Sequence, residues 1–203
     1  GWATCSFNEF EELLNTLEYA IENDNFSERN TNKHNFYVLI RWYRILMDTG
    51  MRPIIPLPVH SENKDFIFFE RFDKHIPYIA RGQATSKQAV KELLTYYKKQ
   101  GIECDPKKNL ILNAYGNAYG ESTWERVKTD ALKRANWSGK KDKLGKTYVS
   151  YSIRHCHITH AINEGEDILK LAKRCGTSVQ MIEDIYYEHD FFANYETPTP
   201  FNS

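Results

Sequence analysis

The chain has 203 residues, 41% of them hydrophobic and 27% charged, which predicts one folded domain with a real core. Its 27 basic and 27 acidic residues cancel, and this weighs against a protein that holds nucleic acid by bulk charge alone, though a basic face with an acidic back is still allowed. No apolar run approaches the ~20 residues of a membrane span, no secretory leader is visible, and the four scattered cysteines (Cys5, Cys104, Cys156, Cys175) make no CxxC pair, so the chain reads as soluble, intracellular and reduced. A first residue of Gly rather than Met reads as a partial or processed chain.

In chain order, Ser6-x-x-Glu9 opens a helix with Phe10, Leu13, Leu14 and Leu17 on one face. A second helix runs from about Lys33 to Asp48, with Phe36, Leu39, Ile40 and Tyr43 inward and Gly50 as its stop. Pro53, Pro56 and Pro58 exclude a helix interior next. Two strands follow, Asp65 to Glu70 and His75 to Ala80, around a turn at Phe72-Asp73-Lys74. Thr85-x-x-Gln88 and Ser122-x-x-Glu125 both match the capping-box pattern ahead of periodic apolar residues. Ser150 to Glu164 reads as a helix ended by Gly165, and Asp167 to Cys175 as one ended by Gly176. A last helix starts at Thr177 or Ser178 and carries Tyr186 and Tyr187, and residues from Phe191 to Ser203 read as a tail. The fold class expected is mostly α with a small antiparallel β-sheet (α+β).

Several residues invite a chemical reading, and each has a plain alternative. Arg52 lies just past a helix stop, where a side chain can enter a cleft or simply face water. Arg154 can hold two phosphate oxygens at once, or bond within a packed helix face beside His155, His157 and His160. His157, His160 and Glu164 share helical spacing, but no HExxH pairing supports a metal. A tyrosine phenol titrates near ~10 and needs cationic neighbours to become a nucleophile; Tyr186 and Tyr187 read equally as core aromatics. The run Gly139 to Lys146, with Lys140, Lys141, Lys143 and Lys146, is either a phosphate-contacting loop or a solvated linker.

Taken together, these residues resemble the catalytic domain of the tyrosine recombinases, the phage-integrase family. Thr49-Gly50-Met51-Arg52 is similar to that family's first arginine box, and Tyr151-Ser152-Ile153-Arg154-His155 to its second. Gly165, then Asp167-Ile168-Leu169, then Gly176-Thr177-Ser178, resembles the approach to the nucleophile helix. The spacing from Gly176 implies Tyr186 as nucleophile, with Tyr187, which sits in a Tyr-x-His pattern with His189, as the alternative. The chain departs from the pattern in three places: Tyr151 stands for the usual His, Thr177 for the usual His or Trp, and Ile55 for the usual acid.

The resemblance implies a site-specific recombinase that cleaves and rejoins duplex DNA through a 3′-phosphotyrosyl intermediate, with no metal and no nucleotide cofactor. Arg52 and Arg154 would clamp the phosphate, Tyr151 and His155 would support them, and Lys74 would be the general acid. Thr177 and His189 would have supporting roles. It also implies residues 1–190 as the catalytic domain, lacking a separate N-terminal DNA-clamping domain, and 191–203 as a segment that docks on a neighbouring protomer. Partners implied are double-stranded DNA, three further copies in a homotetramer and accessory DNA-bending proteins, in a nucleoid-associated cytoplasmic setting of a bacterium or phage-infected host. The alternatives are a relative that binds DNA without cleaving it, an enzyme that relaxes supercoils, and a helical interaction domain.

Overall fold

The structure, a computed structural model, describes residues 1–24, 31–73 and 76–193, with the backbone alone at 73, 76 and 187–193. Helix α1 (Phe7–Asn23) opens on the expected reciprocal cap: the Ser6 hydroxyl accepts the Glu9 amide at 3.1 Å and the Glu9 carboxylate accepts the Ser6 amide at 3.0 Å. Its Phe10, Leu13, Leu14 and Leu17 stripe packs on α2 (Asn32–Thr49), the central helix, which also meets three of the helices described below. Centrality explains why α2 is apolar on several faces: Phe36, Val38, Leu39, Ile40, Trp42, Tyr43 and Ile45 are all buried. Each such side chain contributes about 2 kcal/mol by leaving water.

Gly50 ends α2 in the left-handed conformation, with φ 70°, and the chain turns into the proline-rich loop that carries Arg52. Three strands follow in an antiparallel sheet of order β1 (Val59–Glu62), β2 (Ile67–Asp73), β3 (Ile76–Gly82). The sequence pattern announces β2 and β3 but not β1, whose Val-His-Ser-Glu is mostly exposed and carries no apolar alternation. Ile67, Phe69 and Arg71 face inward along β2, and Phe72 faces out.

Helices α3 (Ala84–Lys99) and α4 (Glu121–Arg134) correct two expected caps. Thr85 and Ser122 lie inside their first turns, because the helices begin after Gln83 and Gly120 with no side-chain cap from either flanking residue. At α3 the job passes to Asp48 at the end of α2, whose carboxylate accepts the Gln83 and Ser86 amides at 2.7 and 3.1 Å and the Ser86 hydroxyl at 2.6 Å. Helix α5 (Tyr151–Asn163) then enters the core beside α2, and α6 (Ile168–Cys175) is capped by Asp167, which accepts the Lys170 amide at 3.0 Å.

In α7 (Val179–Ala193), Ser178 rather than Thr177 is the cap, its hydroxyl accepting the Met181 amide at 3.2 Å. The helix continues past Phe191, where the sequence pattern places the start of the tail; residues 194–203 lie outside the described residues. The main core lies around α2. A second, smaller cluster of Ile158, Ala161, Leu171, Ala172, Cys175 and Ile182 joins α5, α6 and α7. Among the described residues no helix is long and apolar enough to cross a membrane.

Candidate functional site

The ends of α2 and α6 meet where the two cores adjoin. Both helices stop at a left-handed glycine, Gly50 and Gly176, and helix C-termini present carbonyls with partial negative charge. Three arginines answer them. Arg154, 4% exposed, donates from Nη1 to the Gly50 carbonyl at 3.1 Å and to the Cys175 carbonyl at 2.8 Å. The Arg52 Nη2 donates to the Gly176 carbonyl at 3.5 Å, bridging 124 positions of sequence. Arg174 donates to the Thr49 carbonyl at 2.9 Å and forks onto Glu166 with two bonds of 2.9 Å. Burial pushes the Glu166 carboxyl up, but the Arg174 fork outweighs it and holds the group below its usual range.

Arg52 is half-buried and held through its own peptide groups. Its amide donates to the Tyr78 hydroxyl at 3.3 Å, and its carbonyl accepts from Arg71 Nη2 at 3.2 Å. Arg71 also donates to the carbonyls of Ile54 (2.7 Å) and Pro56 (2.9 Å), across the cis Ile55–Pro56 bond. Ile55, at the position of the expected acid, packs instead against the main core.

The histidines of α5 disperse. His157 Nδ1 donates to the Met47 carbonyl at 2.6 Å with its ring against Gly50, His155 Nδ1 donates to the Trp2 carbonyl at 3.2 Å, and His160 sits edge-on to Phe7 at 4.6 Å. Burial, with nearby cationic charge, pushes both His155 and His157 down to about 4. Both are therefore neutral at physiological pH, and because a carbonyl only accepts, the proton of each ring is on Nδ1. His155 thus keeps an unprotonated Nε2. Among the described residues no group of three His, Cys, Asp or Glu comes together for a metal.

Tyr151 and His155 line a groove of about 790 Å³ together with Lys141, Lys143 and Lys146 and with Met181 and Ile185 of α7. The lysine loop is a tight turn: Asp142 accepts the Leu144 and Lys146 amides at 2.9 and 2.8 Å, and Thr147 bridges to both Lys141 and Trp2. Lys140 stands apart from the other three, ion-paired with Glu9 and lying over the Tyr148 ring at 4.6 Å.

Tyr186 is half-buried on α7, one residue beyond Ile185 of the groove wall. Thr177 follows the Gly176 cap of α6, its amide donating to the Ala172 carbonyl at 2.9 Å. Lys74 lies outside the described residues, as do the side chains of Tyr187 and His189. Sequence reasoning missed Arg71, Tyr78 and Arg174 as organisers. For Arg71 a signal was present: it shares the inward register of Ile67 and Phe69, and an arginine facing a core must find acceptors.

No protein-family model matches the chain, and no curated protein matches it in sequence. Among solved structures it is similar to the XerH site-specific recombinase bound to a palindromic difH substrate in a post-cleavage complex, at 17% identity and TM-score 0.62 over 93% of this chain and 50% of that one. It is similar to the XerA recombinase at 17% identity and TM-score 0.61, covering 97% of this chain and 65% of that one. A lambda integrase dimer bound to a COC′ core site matches at 11% identity and TM-score 0.62, covering 98% of this chain and 63% of that one. The chain thus spans between 50% and 65% of the length of these recombinases. Helices around α2, a three-stranded hairpin sheet and a terminal helix on α5 and α6 give this chain the fold of the tyrosine-recombinase catalytic domain.

Proposed function

We propose that the chain is the catalytic part of a site-specific DNA recombinase that cleaves and rejoins duplex DNA through a 3′-phosphotyrosyl intermediate. The observation that carries this reading is the convergence of Arg52 and Arg154 on the adjacent carbonyls of Gly176 and Cys175, ten residues before Tyr186 in the case of Gly176. In-line attack of the tyrosine oxygen on a phosphodiester needs positioning and charge neutralisation. Two guanidinium groups supply both to the non-bridging oxygens. The tyrosine oxygen bonds to phosphorus, the bond to the 5′-oxygen breaks, and the leaving oxygen takes a proton, which Lys74 would donate. Attack by a 5′-hydroxyl of a partner strand then reverses the step and frees the tyrosine.

Tyr151 and His155 would stand beside this grip, with the His155 Nε2 as an acceptor for the tyrosine proton. Lys141, Lys143 and Lys146 would take phosphates of the duplex along the groove. The DNA-bound recombinases of the same fold support duplex DNA as partner, and four copies on two duplexes, with accessory DNA-bending proteins, would be the working assembly. No metal or nucleotide cofactor takes part in this scheme.

The test uses a pool of nicked duplexes, randomised around the nick, that trap any covalent complex. The expected result is a protein–DNA adduct mapped by mass spectrometry to Tyr186, lost in Tyr186→Phe and retained in Tyr187→Phe. The reverse pattern reassigns the nucleophile to Tyr187. Tyr151 in place of the usual His favours a second reading, a relative that binds DNA without cutting it; DNA binding with no adduct from any member of the pool would establish that reading instead.

A further inference from the structure

The β2–β3 hairpin grips Arg52 from two sides at once. Arg71 and Tyr78 are directly paired across the two strands. Arg71 donates to the Arg52 carbonyl, and the Tyr78 hydroxyl accepts the Arg52 amide. The Tyr78 ring also packs on Gly176, where a Cβ would stand 2.4 Å from a ring carbon. The Gly176 carbonyl in turn accepts from the Arg52 guanidinium. One cross-strand pair, with the helix cap that it packs against, therefore contacts residue 52 at its amide, its carbonyl and its side chain.

This arrangement is an uneconomical way to build a core. A guanidinium 1% exposed to solvent loses much hydration, and an apolar residue suits the same register, as Ile67 and Phe69 show. The Arg71 donors go to three carbonyls of the segment that begins at Arg52. That segment starts two residues after Gly50, which ends α2 in the left-handed conformation. Residues 52–56 belong to no helix or strand, so the direction of the Arg52 side chain depends on what holds that loop.

We propose that Arg71 and Tyr78 form a positioning pair that sets the Arg52 guanidinium for a phosphate. Neither residue touches DNA; both act through the main chain of Arg52. This rests on the cleavage reading above. A misplacement of about 1 Å at such a group costs roughly a hundredfold in rate.

The test compares three variants of the whole chain. Tyr78→Phe keeps the ring on Gly176 and removes the hydroxyl, and Arg71→Met keeps much of the bulk and removes the donors. Tyr97→Phe is the control, losing a buried hydroxyl that donates to the Leu110 carbonyl and accepts the Leu112 amide, with no bond to this network. In the free protein, hydrogen exchange of the Arg52 amide is expected to speed up about tenfold in Tyr78→Phe and Arg71→Met and to stay unchanged in the control. On nicked duplexes, the rate of adduct formation at saturating DNA is expected to fall about ten- to hundredfold in the two variants, with DNA affinity unchanged. Control-like exchange together with control-like adduct rates would overturn the proposal. If the wild-type chain forms no adduct, the cleavage reading fails by itself, and the exchange measurement decides the positioning pair alone: control-like exchange overturns it.

Discussion

Gly50 and His157 approach so closely that a Cβ on residue 50 would stand 2.3 Å from the imidazole. The glycine is required twice, by its φ of 70° and by that ring. Its carbonyl also receives Arg154. Gly50→Ala is therefore expected to destabilise the fold by about 2–4 kcal/mol, from left-handed strain plus overpacking. The midpoint of urea unfolding checks this.

The two half-buried imidazoles make stability depend on acid. Burial holds His155 and His157 at about 4, whereas an unfolded imidazole titrates near ~6.5. Their folded values are the lower ones, so the unfolded chain takes up protons first as pH falls. Stability is present in full above about 6.5 and is lost between there and about 4. A loss on the order of 2 kcal/mol per histidine is expected across that window. Unfolding curves at several pH values measure it, and His157→Asn should remove its share of the slope.

Glu166 acts over a more acid window. Its folded carboxyl is held below the ordinary range by Arg174 against the effect of burial, so its contribution is present above about pH 4 and disappears as pH falls through the folded value. Because the pair is partly open to solvent, Glu166→Gln should cost only about 1 kcal/mol at neutral pH. The variant should then lose less stability than wild type on further acidification, which thermal unfolding at pH 3 and pH 7 reads directly.

Salt should reveal the lysine loop. Lys141, Lys143 and Lys146 wall the groove, whereas Lys140 is ion-paired with Glu9. Replacing each of the first three by Ala is expected to reduce the slope of log affinity against log salt by about 1. Lys140→Ala should leave the slope nearly unchanged. Fluorescence anisotropy on a duplex at four salt concentrations separates the two outcomes.

What could be read from the chain without coordinates was whatever is local. The Ser6–Glu9 cap closes over three residues and the stripe of α1 repeats every three or four, so both were visible. The Thr49 to Arg52 and Tyr151 to His155 boxes were visible for the same reason, as short motifs beside helix ends. What stayed hidden was every device made by distant partners. The cap of α3 is Asp48, 35 positions before Gln83, and nothing in Thr85-x-x-Gln88 announces that the position is already served. The clamp of Arg71 on the Arg52 carbonyl depends on strand register, and the contact of Arg174 with Thr49 spans 125 positions. Helix α5 gave no apolar stripe to follow because Ser152, Ile153, Arg154, Cys156, Ile158 and Thr159 bury most of its circumference.

The smaller core has a consequence of its own. Ile182 is the one fully buried side chain among the described residues of α7, and it belongs to the cluster beneath α5 and α6, apart from the mass around α2. With Val179 and Ile185 only partly buried beside it, α7 is expected to open at a lower free energy than the whole domain, which amide hydrogen exchange along the helix would read. Tyr186 would then leave its place while Arg52 and Arg154 stay folded, and the population of the closed helix would be a quantity that binding elsewhere could shift.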